Sequence, residues 1–216
     1  MEHQPVETTL YSLAATAPGR PDRRSSERYL SLLRVGAIVI GDRRELCLIR
    51  NISVGGMMIR AYSKIAAGTR LSVELKQGDP VAGVVQWVEG DLTGVAFDVP
   101  IDVVGLLAST AEGPRPRLPR IEITCTARVR EGGDTVRAKA INISQGGICL
   151  EPQNRLTPGA DVVVSLHGLA PAAGVVKWCT ESACGIGFNR VLPLPQLVAW
   201  LQDQQQQQEQ RRAGAA

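Results

Sequence analysis

A short segment that occurs twice most constrains how this chain can fold. The sequence Asn-Ile-Ser-Val-Gly-Gly at residues 51–56 returns, with glutamine in place of valine, 91 residues later at residues 142–147. Gly-Val-Val-x-Trp and Gly-(Val/Ile)-x-Phe segments return in the same order at the same offset. These segments lie at residues 83–87 and 174–178 and at residues 94–97 and 185–188. Several blocks at one spacing predict a duplicated domain.

The composition is that of an ordinary globular protein, because 44% of the 216 residues are apolar and 21% are charged. This length accommodates two domains of about 90–100 residues, each large enough to close its own core without a metal ion or a disulfide. The net charge is +3, and residues 20–34 alone carry five arginines against two acidic residues. The basic character is therefore local, and general nucleic-acid binding is not expected.

The hydrophobic pattern from residue 32 onward is that of short strands, and residues 70–76 alternate strictly between apolar and polar side chains. Each copy contains six such segments, and a short helix is expected after each set, near residues 101–109 and 194–202. Closing six short strands into a barrel removes exposed sheet edges. We therefore expect an all-β fold of two tandem six-stranded antiparallel barrels, each with a short C-terminal helix.

Proline and glutamine mark the boundaries between segments. Prolines at positions 5, 18 and 21 indicate an unstructured start, three prolines within 110–119 indicate a stiff connector, and a glutamine tract occupies 204–208. The predicted organisation is a flexible N-terminal arm at residues 1–19, a first domain at 20–110, a second domain at 111–201 and a disordered glutamine-rich tail at 202–216.

The chain has no run of about 18 apolar residues, so no membrane-spanning helix is expected. The first residues also lack the basic and apolar regions of a signal peptide, which indicates a cytoplasmic protein.

The five cysteines include no Cys-x-x-Cys pair and mostly lie in apolar segments, which favours buried reduced thiols over disulfides or metal binding. No metal site and no cofactor are expected. The cysteines are Cys47, Cys125, Cys149, Cys179 and Cys184.

Two motifs in the first copy point to a ligand site. Arg24 and Arg28 lie four residues apart ahead of the first barrel, and Asn-x-Ser-x-x-Gly follows at residues 51–56. Together with the Val-x-Trp and Gly-Val-x-Phe segments, they resemble the PilZ domain family, bacterial receptors for cyclic di-GMP whose motifs are RxxxR and (D/N)xSxxG. The resemblance covers nearly the whole chain outside its two ends. It implies PilZ-type six-stranded barrels with cyclic di-GMP bound at the outer surface, under the N-terminal arm.

The chemistry of this ligand suits these residue types. An arginine fork meets guanine O6 and N7 with two parallel hydrogen bonds, and it also neutralises phosphate. Asn51 and Ser53 are two positions apart on a strand, so both face the same side and can accept from guanine N–H groups. Gly55 and Gly56 permit positive φ and close backbone approach. The expected ligand contacts in the first copy are Arg23, Arg24, Arg28, Asn51, Ser53 and Gly56.

The second copy departs from the arginine motif. The offset of 91 places Arg28 on Pro119, with Arg120 one step beyond, and the surrounding prolines restrict how this arm can curl over a ligand. The Asn-x-Ser-x-x-Gly motif is intact. The second copy is therefore either a further ligand site or a scaffold without a ligand. The residues of such a site would be Arg115, Arg117, Arg120, Asn142, Ser144 and Gly147.

The expected function is that of a non-enzymatic receptor or effector that changes its arm and interdomain geometry on binding cyclic di-GMP and acts on a downstream protein partner. The alternative is a PilZ-like interaction scaffold that binds a motility or secretion partner without nucleotide. An RNA-binding barrel would need aromatic platforms, but aromatic residues make up 4% of the chain, and Trp87 and Trp178 are predicted to be core residues. No catalytic pattern is present in the sequence, so an enzyme is not expected.

Overall fold

The computed structural model describes residues 28–74, 80–103 and 118–213, with the backbone alone at residues 28–33 and 211–212. Within these ranges the chain forms twelve strands, followed by a long helix. The elements are β1 (Arg28–Ile40), β2 (Arg43–Ser53), β3 (Gly56–Arg60), β4 (Arg70–Glu74), β5 (Val81–Glu89), β6 (Leu92–Phe97), β7 (Ile121–Glu131), β8 (Asp134–Ser144), β9 (Gly147–Pro152), β10 (Asp161–Leu166), β11 (Ala172–Cys179), β12 (Cys184–Phe188) and α1 (Leu194–Ala213).

The strands form two closed antiparallel barrels with the same internal order. The first barrel runs β1-β2-β3-β6-β5-β4, and the second runs β7-β8-β9-β12-β11-β10. Tight turns join the long first hairpins, where Gly41 and Gly132 adopt φ values of 56° and 58°. Only glycine takes this left-handed conformation without a steric cost. The predicted fold class of two six-stranded antiparallel barrels is confirmed.

Each barrel encloses its own apolar core, because alternate side chains of every strand point inward. The burial pattern of β4 alternates along its length, with Leu71 and Val73 buried. In the first barrel these side chains pack with Ile38 and Ile59, both fully buried. The corresponding strands of the second barrel bury a separate set of isoleucine, leucine and valine side chains. The sequence alternation therefore reports the inner face directly.

Helix α1 is longer than the sequence pattern predicts. It begins at Leu194 and continues through the glutamine tract to Ala213, so the prediction of a short helix and a disordered tail is wrong for residues 202–213. Tertiary contacts hold the extension, because Gln202 Nε2 donates to the carbonyl oxygen of Tyr62 at 2.7 Å and Gln208 Nε2 donates to that of Thr124 at 3.5 Å. The helix thus touches both barrels.

Other predicted segments fall outside the described residues. The flexible arm at residues 1–19 lies there entirely, and so do residues 104–109 of the helix expected after the first barrel. Within that expected helix, Val103 has helical backbone and is buried against the first core.

The two barrels share an apolar contact through β2. Cys47 and Ile49 point into the first core, whereas Leu46, on the opposite face of the strand, is 3% exposed and packs within the second core cluster. Val198 and Leu201 of α1 belong to that same cluster. The outer face of β2 around Leu46 is therefore covered by the second barrel and its helix, and burying these side chains stabilises the contact.

The cysteines do not all follow the prediction of reduced thiols. Cys179 and Cys184 form a disulfide across the β11–β12 hairpin, so the prediction is wrong for this pair. The two residues lie directly opposite each other in the strand register, a proximity that a spacing of five residues does not reveal by itself. The remaining three cysteines are free thiols.

Candidate ligand-binding site

The repeated Asn-x-Ser-x-x-Gly segment forms the tight connection between the second and third strands of each barrel. The Ser53 hydroxyl donates to the carbonyl oxygen of Gly56 at 3.0 Å, and the Ser144 hydroxyl donates to that of Gly147 at 3.3 Å. Each hydroxyl oxygen keeps lone pairs that can accept from a ligand. The serines therefore have a structural role in the turn that leaves their acceptor capacity unused.

The repeated blocks meet in space beside this turn. The backbone N–H of Phe97 donates to the carbonyl oxygen of Gly55 at 2.9 Å, and that of Phe188 donates to Gly146 at 3.0 Å. The Gly-x-x-Phe segment of each copy therefore fixes the Asn-x-Ser-x-x-Gly turn against the barrel wall. This contact explains why the segments recur together.

The second glycine of each turn serves packing rather than an unusual backbone conformation. None of the four glycines in the two turns has a left-handed φ, so the predicted use of positive φ at Gly55 and Gly56 is wrong. A Cβ atom on Gly56 would collide with the carbonyl oxygen of Val95, and one on Gly147 would collide with that of Ile186. Glycine is needed because the neighbouring strand passes too close for any side chain.

Arg120 lies directly beside the second turn. Its Nη1 donates to Asn142 Oδ1 at 2.7 Å. The β7–β8 register pairs Ile121 with Ile143, and continuing it by one step places Arg120 opposite Ser144. In the first barrel the corresponding partner of Ser53 is Arg28. Arg120 is therefore the structural counterpart of Arg28.

A difference in strand irregularities produces this correspondence. The β1–β2 ladder contains two register shifts, between Tyr29 and Ser31 and between Ser31 and Arg34, whereas the β7–β8 ladder contains one. The additional shift absorbs the one-residue difference that the offset of 91 leaves between the copies. A bulge adds a residue to one strand only, so it moves the register of everything before it.

A cavity of about 170 Å³ opens at this end of the second barrel. It brings together Arg120, Ser144 and Gly147 of the predicted site, and Asn142 joins them through its hydrogen bond to Arg120. Sequence reasoning missed the other lining residues, although the repeated Gly-Val-Val-x-Trp block contains two of them. The cavity is lined by Leu118, Arg120, Ser144, Gly146, Gly147, Lys177, Trp178, Gly185, Ile186 and Gly187.

The repeated tryptophans are not core residues, contrary to the prediction. Trp87 is 40% exposed and Trp178 is 43% exposed. A register shift precedes each of them, between Val85 and Trp87 and between Val176 and Trp178, and it interrupts the simple inward–outward alternation. The Trp178 ring lies over Gly185, where a Cβ atom would collide with the indole. The ring is therefore held flat on the barrel wall.

The cavity has a positive electrostatic character. Arg120 and Lys177 both line it, and within the described ranges neither forms an ion pair with a carboxylate. Burial raises the pKa of the nearby Cys149 thiol, and the positive charge of Arg120 partly offsets the rise. The first copy has Gln86 at the position of Lys177. An anionic or acceptor-rich group suits this cavity.

Several predicted site residues are not part of the described structure. Arg23, Arg24, Arg115 and Arg117 lie outside the described residues, and Arg28 is described by its backbone only. Their proposed contacts therefore stay predictions.

Two larger cavities along α1 contain none of the motif residues. One of about 580 Å³ is lined by side chains of both charges, including Arg44 and Glu74, which are ion-paired with each other. The other, of about 390 Å³, is lined largely by threonine and glutamine side chains.

In the part of the chain that the structure describes, no group of histidine, cysteine or acidic residues could hold a metal ion. No described helix is both long and apolar enough to cross a membrane.

Two closed barrels of identical strand order, each carrying an Asn-x-Ser-x-x-Gly turn with an arginine opposite its serine in register, define a tandem barrel protein. The chain belongs to the PilZ domain family. The family model, described as PilZ domain, matches residues 22–108 and again residues 114–203.

Several solved structures are similar to this chain. A structure of PlzA from Borreliella burgdorferi in complex with c-di-GMP is 13% identical, with a TM-score of 0.33 over 78% of this chain and 86% of that one. YcgR from Escherichia coli in complex with c-di-GMP is 13% identical, with a TM-score of 0.34 over 84% and 87% of the chains. The K. pneumonia MrkH–c-di-GMP complex is 16% identical, with a TM-score of 0.32 over 82% and 89%. No curated protein matches the chain.

Proposed function

We propose that this chain is a non-enzymatic cyclic di-GMP receptor that acts in the cytoplasm and passes the signal to a protein partner. Its membership of the PilZ family supports this proposal, and several of the similar structures contain c-di-GMP. The observation that carries it is the hydrogen bond from Arg120 to Asn142 at the mouth of a positively charged cavity. This arrangement joins the arginine and the Asn-x-Ser-x-x-Gly motif in one site.

The second barrel supplies the chemistry that a guanine nucleotide requires. One guanidinium nitrogen of Arg120 is engaged by Asn142, and the remaining N–H groups can donate to guanine O6 and N7 or to a phosphate. Lys177 adds a second cation without directional preference, which suits a phosphate. The half-exposed face of Trp178 offers a surface on which a base can stack.

The first barrel carries the complete RxxxR motif. Because Arg28 and Arg120 hold the same register position, we propose that Arg28 approaches Asn51 as Arg120 approaches Asn142, with Arg23 and Arg24 reaching the ligand from the preceding arm. Gly56 keeps the neighbouring strand close, which gives the ligand a flat surface. The first site has a glutamine in place of Lys177, so the arm arginines supply its positive charge.

The cavity is too small to hold the whole ligand. Pockets that enclose drug-sized molecules measure about 300–1,000 Å³, whereas this one measures about 170 Å³. It therefore accommodates one base or one phosphate, and the rest of the ligand lies against the surface. We propose that the preceding segments cover it, with Arg24 in the first copy and Arg115 and Arg117 in the second.

Because a covering segment would become ordered, ligand binding at the second site would be linked to the relative orientation of the two barrels. The segment before Arg120 joins the two domains, so its ordering constrains their relative orientation. The orientation is already restrained by the contact of Leu46 with the second core cluster. We propose that ligand binding shifts this contact, and that the shift alters the surface seen by the downstream partner.

Calorimetric titration of the full chain with cyclic di-GMP tests the proposal. The double variant Arg24→Ala/Arg28→Ala should weaken binding at the first site, and Arg120→Ala should weaken it at the second, each by about ten- to a hundredfold. Arg128→Ala, which removes an exposed arginine from β7 away from the cavity, serves as the charge-matched control and should leave both sites unchanged.

The outcomes separate the candidate functions. Unchanged affinity in the variant that carries all three substitutions would exclude both sites. A folded wild-type chain that does not bind cyclic di-GMP would instead favour the interaction scaffold. Cyclic di-AMP should bind more weakly, because adenine presents an amino donor where guanine presents the O6 acceptor. Equal affinity for both nucleotides would show that phosphate charge dominates recognition.

A further inference from the structure

We propose that Cys179 and Cys184 form a reversible thiol–disulfide site that controls the wall of the second ligand cavity. The coupling to ligand affinity rests on the proposed function, whereas the redox chemistry of the pair does not. The disulfide joins the last residue of β11 to the first residue of β12 and thereby closes the end of that hairpin.

The disulfide is one step along the ladder from the cavity wall. Cys179 pairs with Cys184, and the next pair in the register is Trp178 with Gly185. Both Trp178 and Gly185 line the cavity, and the indole lies directly over the glycine. A covalent link at the neighbouring rung fixes the spacing of the two strands on which this stack depends.

The first barrel lacks this link and provides an internal comparison. Its corresponding hairpin has Val88 opposite Thr93, next to the pair of Trp87 with Gly94. The same tryptophan–glycine stack therefore forms in both barrels, but only the second carries a cysteine pair at the adjacent rung. The stack therefore forms without a disulfide, so the disulfide of the second barrel can serve to regulate the stack instead.

Reagents can reach the pair at Cys179, whereas Cys184 is buried. Cys179 is partly exposed, and the turn residue Thr180 beside it is exposed. Burial raises the pKa of Cys47 to about 12 and also raises the pKa values of Cys125 and Cys149. Thiol exchange proceeds through thiolates and requires access. Redox reagents should therefore act on the hairpin pair before the three free thiols.

Reduction by a small dithiol gives a balanced exchange. A thiolate of the dithiol attacks Cys179 Sγ, the disulfide bond breaks, and Cys184 leaves as a thiolate that takes up a proton. The second thiol of the reagent, as its thiolate, then attacks the mixed disulfide, which releases Cys179 as a thiolate that takes up a proton. The reagent becomes a cyclic disulfide, and two electrons and two protons have passed to the protein.

The reduced hairpin should loosen without unfolding. The backbone N–H of Thr180 still donates to the carbonyl oxygen of Ala183 at 2.7 Å, and the Thr180 side chain makes two further hydrogen bonds to Ala183. Trp178 then gains freedom that ligand binding has to remove. Because immobilising one side chain costs affinity, we expect reduction to weaken the second site by about two- to tenfold. In a reducing cytoplasm, such a pair acts as a redox sensor rather than as a permanent structural cross-link.

The test uses the full chain equilibrated in oxidised and reduced glutathione buffers and also treated with dithiothreitol. Mass spectrometry after maleimide labelling counts accessible thiols at residues 179 and 184. Hydrogen exchange across residues 176–187 reports the cavity wall, and calorimetry with cyclic di-GMP reports affinity. Cys179→Val/Cys184→Thr, which copies the first barrel, is the variant that should show no redox dependence. Cys125→Ala is the control that should keep the wild-type response.

Three results together would support the proposal. Residues 179 and 184 should become open to labelling on reduction and closed to it again on reoxidation. Reduction should also speed hydrogen exchange in the cavity wall and weaken second-site affinity two- to tenfold. Failure of the pair to oxidise or to be reduced in the folded chain would overturn it. A pair that cycles without changing either exchange or affinity would overturn the control of the cavity. If cyclic di-GMP binds neither state, the proposed function fails, but labelling and hydrogen exchange still decide whether the redox site exists and moves the wall.

Discussion

Replacing Gly147 with alanine separates two explanations for the glycine of the Asn-x-Ser-x-x-Gly motif. Gly147 begins β9, where it pairs with Ser144 on one side and with Gly187 on the other. A Cβ atom at this position would collide with the carbonyl oxygen of Ile186. The obstacle is backbone, so no side-chain rotation can relieve it, and β9 and β12 have to separate.

The expected cost follows from this geometry. Overpacking a core position costs about 1–3 kcal/mol, and each weakened ladder hydrogen bond adds about 1 kcal/mol. Alanine lowers the entropy of the unfolded chain, which offsets about 0.4–1 kcal/mol. We therefore expect Gly147→Ala to reduce the free energy of unfolding by about 2–3 kcal/mol. For a barrel of this size, that corresponds to a drop in Tm of about 10 °C or more.

Calorimetric and denaturant unfolding of the full chain measure the loss, and hydrogen exchange in β9 and β12 assigns it to the second barrel. Gly56→Ala should behave alike in the first barrel, where the carbonyl oxygen of Val95 is the obstacle. Gly133→Ala is the control, because nothing lies within 4 Å of its Cβ position, and it should change stability by no more than about 0.5 kcal/mol.

Gly185→Ala offers a contrast within the same cavity. Its Cβ atom would meet the indole of Trp178, a half-exposed side chain that can swing away, so we expect a smaller loss of stability together with a disturbed cavity wall. The reasoning about Gly147 is refuted if Gly147→Ala keeps wild-type stability and loses only ligand binding. The glycine would then serve close approach of the ligand, as the sequence alone suggested.

Two further predictions concern the interface and the buried thiol. Leu46→Ala should cost about 2–5 kcal/mol and accelerate hydrogen exchange in α1, because Leu46 packs with that helix, whereas Leu71→Ala in the first core should leave exchange in α1 unchanged. Burial raises the pKa of Cys47 from its ordinary value of 9.0 to about 12, so between these values the folded state binds more protons than the unfolded state. The free energy of unfolding should therefore fall as pH rises above about 9, and Cys47→Ala should reduce that slope in denaturant titrations.

The fold was largely predictable from the repeat and the alternation of apolar residues. Strand residues alternate across a sheet with a period of two, so residues such as Leu71 and Val73 reported the inner face before the barrel was known. The recurrence of three blocks at one offset predicted two equal domains. The Asn-x-Ser-x-x-Gly turn, together with Arg24 and Arg28, indicated the family, because these motifs depend on short-range spacing.

The tertiary structure decided the features that depend on register and on contacts between distant segments. A bulge shifts pairing without changing local composition, so the match of Arg120 to Arg28 and the outward position of Trp178 became visible only in the ladders. The disulfide of Cys179 and Cys184 likewise depends on which residues lie opposite each other. The glutamine tract has little local signal for order, and its helix is held by contacts with both barrels, such as that between Gln202 and Tyr62. Local spacing determines which elements form, whereas pairing and docking determine what those elements bring together.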